Sequence, residues 1–169
     1  MTVAYRDATV SDAAQLSELG AQTFTDTFGH LYQPDDLAVF LKNHSVEAWE
    51  KELRDSAFAV RVAEFDGQMV GYAKLGPPHL PFEPRGEAAE LRQLYVIEEV
   101  KGQGVAHALM DWVIDQARDR GADHLYLSVF TENHRARRFY EKLGFEAEGV
   151  YHFMVGSQAD EDIVMRLKL

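Results

Sequence analysis

Lys101-Gly102-Gln103-Gly104-Val105-Ala106 decides how this 169-residue chain is read, because of what stands on either side. Before it, Leu91 to Ile97 has the apolar run of a buried strand. After it, Val105, Leu109, Trp112, Val113 and Ala117 recur at helical spacing. A strand, a glycine-bearing turn and a helix N-terminus together make an anion site. Backbone N–H groups point outward, the helix dipole favours negative charge, and glycine lets a phosphate approach the main chain. A tight strand-to-helix turn with no ligand has the same spelling, so the motif needs support from elsewhere in the chain.

Outward from that turn, the patterning predicts a complete α/β order. Val3 to Tyr5 reads as a first strand. Ser11 or Asp12 then caps a helix with Ala13, Leu16, Leu19, Thr23 and Phe24 on one face. Pro34 suits the first turn of a short helix ending near Asn43, and Ser45 caps another through about Asp55. Phe58–Phe65 and Met69–Leu75 read as strands joined by Asp66-Gly67, a strong hairpin signal because both positions need positive φ. Glu90–Ile97 is the next strand, and the helix after the glycine turn runs to about Arg120, with Gly121 beyond it. His124–Phe130 returns as a strand. A short helix then carries Ala136, Phe139, Tyr140 and Leu143, closed by Gly144, and Phe145–Val155 and Asp162–Leu169 form a last antiparallel pair. The crossover from Glu90–Ile97 to His124–Phe130 makes one parallel βαβ unit in a mixed sheet.

Composition narrows the function. The length suits one domain, residues 1–169, and 46% apolar with 27% charged residues is ordinary for a globular protein. With no cysteine, disulfides, thiolate metal sites and cysteine nucleophiles are excluded. No signal pattern or membrane-length apolar run appears, so a cytoplasmic protein without membrane partners is expected. A net charge of −11 argues against nucleic acid and is compatible with a cationic substrate, although it also simply aids solubility. The seven histidines show no ligand-like spacing, so no metal is expected; His107 and His134 flank the glycine turn and the last helix. Trp49 and Trp112 sit at helical core positions.

At this point the residues resemble a known family. The strand, Lys101-Gly102-Gln103-Gly104-Val105-Ala106, the long helix, the next strand and then Asn133-His134-Arg135-Ala136-Arg137-Arg138-Phe139-Tyr140-Glu141-Lys142-Leu143-Gly144-Phe145 resemble the GNAT superfamily of acetyl-CoA-dependent N-acetyltransferases. Lys101 departs from the Arg or Gln usual at the head of that turn. A narrower likeness, to PaiA-type bacterial polyamine N-acetyltransferases, lies in Thr23–Phe28, Asp66–Leu75 and Gly149–Gly156. The resemblance implies a mixed, mostly antiparallel sheet of six to seven strands flanked by helices, with the βαβ unit forming the cofactor cleft.

Acetyl transfer to an amine needs a diphosphate cradle, a donor to the thioester oxygen, an exit for the amine proton and an acid for the thiolate. Backbone N–H groups from Gly102 through Gln103, Gly104, Val105 and Ala106 to His107 supply the cradle, with Lys101 adding charge. The resemblance implies that the main chain of Leu94, Tyr95 and Val96 lies along the pantetheine arm and acetyl group. Asn133 either caps the helix it opens or bonds the cofactor's amide chain, and both roles are compatible. Tyr140 is either a core tyrosine or, as the resemblance implies, the acid that protonates the coenzyme A thiolate. Glu90 is either the base, directly or through water, or a strand-entry carboxylate paired with Arg92; bulk water is a further route for the proton.

The expected activity is acetyl transfer from acetyl-CoA to a primary amine by direct attack in a ternary complex. A polyamine such as spermidine or spermine is the first substrate expectation, motivated by the net charge and by Asp26, Asp35 and Asp36. The alternatives are a peptide or protein N-terminal amine, or a CoA-binding sensor or interaction module without catalysis. Family members are often homodimers, although no exposed apolar stripe is legible here.

Overall fold

The computed structural model describes residues 2–42, 45–80 and 82–169, with the side chains of Phe40 and Phe153 excepted. In chain order the elements are β1 (Ala4–Asp7), α1 (Ala13–Phe28), α2 (Pro34–Leu41), α3 (Val46–Leu53), β2 (Ala59–Phe65) and β3 (Gln68–Gly76). There follow β4 (Ala88–Val96), α4 (Val105–Asp119), β5 (His124–Phe130), α5 (His134–Lys142), β6 (Glu146–Val155) and β7 (Gln158–Lys168). The expected helix end at Asn43, and also His44 and Pro81, lie outside the described residues.

The seven strands lie in the order β1-β2-β3-β4-β5-β7-β6. Every neighbouring pair is antiparallel except β4 with β5, which α4 connects. Alternation along the strands sorts side chains into two cores. Leu125, Leu127 and Val129 of β5 join Leu109, Met110 and Val113 of α4 on one face. On the other face Leu16 and Leu19 of α1 and Trp49 of α3 pack against Val60, Val62 and Tyr72. Burial of these apolar side chains, each contributing about 1.5–3 kcal/mol, holds both helical layers to the sheet. No helix among the described residues is long and apolar enough to cross a membrane.

Local signals place most boundaries. Asp66 and Gly67 both take positive φ, 54° and 77°, in the hairpin turn between β2 and β3. Ser45 accepts a hydrogen bond from the Ala48 N–H at 3.2 Å and so caps α3. The entry to α1 differs from expectation. A 3-10 turn at Val10–Asp12 precedes the helix, and the Asp12 side chain does not cap it. Its carboxylate accepts instead from the Thr9 N–H at 2.7 Å and from both terminal nitrogens of Arg6 at 2.8 Å. A bidentate charged pair outcompetes a neutral cap, and Arg6 holds the Asp12 carboxyl below its ordinary range.

One irregularity shapes the middle of the sheet. β4 pairs with β5 only at Ala88–His124, Ala89–Leu125 and Glu90–Tyr126. Immediately beyond, the β3–β4 register shifts: Leu75 faces Leu91 while Lys74 faces Gln93, leaving Arg92 as the extra residue. Such a bulge bends its strand and sharpens the local twist. The second half of β4 therefore diverges from β5, and the sheet opens between them.

Candidate active site

The opening between β4 and β5 forms a cleft of about 660 Å³ lined from both faces of the sheet. Its first arm lies on the side of α4 and α5. Leu94, Tyr95 and Val96 form one wall from β4, and Lys101, Gly102, Gly104, Val105, Ala106 and His107 form its end. Gly102 and Gly104 have φ of 85° and 81°, the left-handed region that glycine occupies without penalty. A Cβ added at either would meet no protein atom within 4 Å, so backbone shape and not packing demands glycine there. The first N–H groups of α4 have no intrahelical acceptor. This is a chemically suitable cradle for a diphosphate. Beside it Lys101 pairs with Glu98 at 2.9 Å, and Arg135 lies 3.9 Å from the same carboxylate. Gln103 does not line the cleft; its N–H donates to the Val100 carbonyl.

Two residues of the α5 segment reach the same arm. Asn133 caps α5, its side-chain oxygen accepting from the Ala136 N–H at 3.3 Å, and it also lines the cleft. Tyr140 is 8% exposed and its ring packs against Phe139 and Phe145. Its hydroxyl makes no hydrogen bond among the described residues, and burial pushes its pKa upward. A buried phenol kept neutral and unpartnered beside a cleft is able to give a proton to a group placed there.

Glu90 sits where β4 and β5 part, but off the cleft lining. One oxygen accepts from the His79 N–H at 2.8 Å and the other lies 3.8 Å from Arg92. Burial raises its pKa. Ser128 does line the cleft and receives a hydrogen bond from the Tyr151 hydroxyl at 3.1 Å.

The second arm lies on the face of α1. Phe24, Phe28 and Tyr32 line it from the end of α1 and the segment after it, with Phe130 from β5 and Asp162 from β7. The rings form a continuous wall: Phe24 stacks on Tyr32 at 6.0 Å and meets Phe28 at 5.2 Å, and Phe28 meets Phe130 edge-on at 6.1 Å. Asp162 is 6% exposed. Of the acids expected near the acceptor, Asp26, Asp35 and Asp36 are all off the lining. Asp36 instead accepts from the N–H and hydroxyl of Ser157 in the β6–β7 turn.

Asp162 is not among the residues the sequence motifs single out, although a local signal marks it. Alternation along β7 puts it on the face of buried Val164, so an acid there points inward.

The profile of the acetyltransferase (GNAT) family matches residues 18–145, which contain the glycine turn and most of the cleft. The chain belongs to the GNAT family. It is 35% identical to an uncharacterized N-acetyltransferase of Mycobacterium tuberculosis over 159 residues, 92% of this chain and 97% of that one. Among solved structures, a PaiA N-acetyltransferase from Thermoplasma acidophilum in complex with coenzyme A is similar over the whole of both chains, with a TM-score of 0.82 at 21% identity. A ribosomal-protein-alanine N-acetyltransferase from Brucella melitensis gives 0.76 at 28% identity, over 98% of this chain and 99% of that one. This GNAT protein is an N-acetyltransferase, with acetyl-CoA as its co-substrate.

Proposed function

We propose that the enzyme transfers the acetyl group to a small primary amine that attacks directly, within a ternary complex. The observation that carries this reading is the continuity of the cleft. One cleft is lined by the glycine turn suited to a diphosphate, by the unpartnered phenol of Tyr140 and by an aromatic, acid-bearing arm. Acetyl-CoA supplies an acetyl group already activated as a thioester. In this reading Gly102, Gly104 and the first N–H groups of α4 up to His107 grip the diphosphate, Leu94 to Val96 offer main-chain groups to the pantetheine arm, and Tyr140 protonates the sulfur as it leaves.

A polyamine such as spermidine is the acceptor this reading tests first. The net charge of −11 favours a cation. Asp162 in the second arm offers a carboxylate to one ammonium group of such a cation. A second reading, a peptide N-terminal amine, is favoured by the 28% identity to the ribosomal-protein-alanine enzyme.

Thiol release measured with spermidine, a simple monoamine and an alanine-initiated peptide decides among these. Tyr140→Phe is expected to cut turnover by about 10²-fold, the lower end for a general acid, and to leave coenzyme A affinity near wild type. Release with none of the three, while coenzyme A still binds, would favour the sensor or interaction module.

A further inference from the structure

We propose that Asp162 is the residue that receives the acceptor's ammonium group and takes its proton. The inference rests on the amine-acetylating reading above and deepens it. Four observations carry it.

Position comes first. Asp162 lies opposite Phe130 on β5 and opposite Tyr151 on β6, on the face of the sheet that lines the second arm. The residue is only 6% exposed.

Partners come second. Among the described residues, no hydrogen bond or ion pair engages its carboxylate. Two other acids in this half of the sheet are occupied. Asp160 accepts from the Tyr32 hydroxyl and from Gln158 at 3.3 Å. Glu90 has the His79 N–H and Arg92. No fully buried side-chain oxygen among the described residues lacks a partner, so the unpaired Asp162 carboxylate opens onto the cleft, where a cation can reach it.

Surroundings come third. The wall of Phe24, Phe28, Tyr32 and Phe130 lines the same arm as the carboxylate. A cation is attracted to ring faces, and more strongly where water is excluded.

The charge balance comes fourth. The ionisable groups that interact with Asp162 are Asp160 on its own strand, Tyr151 on β6 and Tyr32 after α1; Arg92 and Glu90 of β4 act on Tyr151 in turn. Burial and the repulsion of Asp160 raise its pKa to about 7. Such a group is basic enough to accept a proton near neutrality, and ionised enough to attract a cation.

The chemistry balances. The alkylammonium nitrogen gives one proton to the Asp162 carboxylate and becomes a neutral amine. Its lone pair forms the bond to the acetyl carbon, and the carbon–sulfur bond breaks. The nitrogen sheds a second proton to solvent, the sulfur takes the Tyr140 proton, and Tyr140 is reprotonated from solvent. Asp162 then returns its proton to water, so one proton is released for each amide formed.

Two readouts on the full chain test the proposal. The first is kcat/KM against pH, by thiol release with spermidine. Wild type is expected to rise through a limb near pH 7, where Asp162 ionises. Asp162→Asn should lower kcat/KM by about 10²-fold and abolish the limb, while coenzyme A affinity holds. Asp162→Glu should restore a limb, and Glu90→Gln should keep it whatever its effect on rate. The second readout is the carboxyl ¹³C resonance of Asp162, assigned by its loss in Asp162→Asn. Added spermidine should lower its titration midpoint, since a bound ammonium favours the ionised form.

A limb that survives Asp162→Asn, or a resonance indifferent to spermidine while thiol is released, overturns the proposal and leaves the transferase reading intact. A resonance that responds with no thiol release overturns the amine-acetylating reading and retains Asp162 as an ammonium site. Failure of both readouts overturns both.

Discussion

Lys74 and Asp162 are both charged side chains on inward faces of the sheet, and the structure treats them differently. The Lys74 ammonium meets Glu52 at 2.8 Å and lies 4.5 Å from the centre of the Trp49 ring. Burial lowers its pKa and Glu52 opposes that shift, the pattern of a neutralised structural pair. Asp162 has no such counter-charge, and the consequence is a pH-dependent cost to the fold. Its carboxyl titrates near 7 when folded and near about 4 in an unfolded chain. Between those values the folded protein binds more protons than the unfolded one, so this group's contribution to stability falls as pH rises from about 4 to 7. Asp162→Asn should therefore raise the thermal midpoint at pH 8 and change it little at pH 5. Calorimetry at the two pH values checks this, and an equal shift at both would contradict the assignment.

Among the elements, the glycine turn before α4 binds its sequence most tightly to its shape. Gly104 at φ 81° and Gly67 at φ 77° are equally strained for any other residue, and neither would place a Cβ against protein atoms. Replacing either by alanine should cost about 1–2 kcal/mol of stability. Only Gly104→Ala also puts a methyl group into the cradle, where a cost of about 1.4 kcal/mol or more corresponds to at least tenfold weaker coenzyme A binding. Titration calorimetry on the two variants separates the effects: similar destabilisation in both, and lost affinity in Gly104→Ala alone. The strands and helices were legible because their signals are local. β5 runs from His124 to Phe130, as alternation predicts, and Asp66-Gly67 turns where its φ requirement places it. Asp12 does stand at the N-cap position of α1, but its carboxylate is claimed by Arg6, a partner on β1 that no local pattern reveals.

Across the whole molecule, the two arms of the cleft are built on different principles. The arm proposed to hold coenzyme A draws on residues 94–140, where motif spacing speaks directly. The acceptor arm joins the end of α1 to β5 and β7, and its contacts span the chain: Tyr32 bonds Asp160, Leu31 accepts from Gln158, and Asp36 accepts from Ser157. Alternation along β7 marks Asp162 as inward-facing, but only tertiary assembly brings it to the aromatic wall. The net charge pointed to Asp26, Asp35 and Asp36, yet none of them lines the arm. If the elbow between α1 and α2 is held in place by the β6–β7 turn, then Asp36→Ala should raise the KM for the amine and leave coenzyme A affinity unchanged. Steady-state kinetics with calorimetry distinguishes this from general destabilisation, which would weaken both.

The three residue pairs joining β4 to β5 hold together what is otherwise two half-sheets. Past Glu90 and Tyr126 the facing edges carry main-chain donors and acceptors along an internal seam, where an ordinary sheet would have a ladder. A pantetheine arm, itself built of amides, is of the right chemistry to stitch that seam from within. Binding the acetyl donor would then also close the fold, and at a hundred times its Kd the donor would add about 2.7 kcal/mol to the stability of the whole chain.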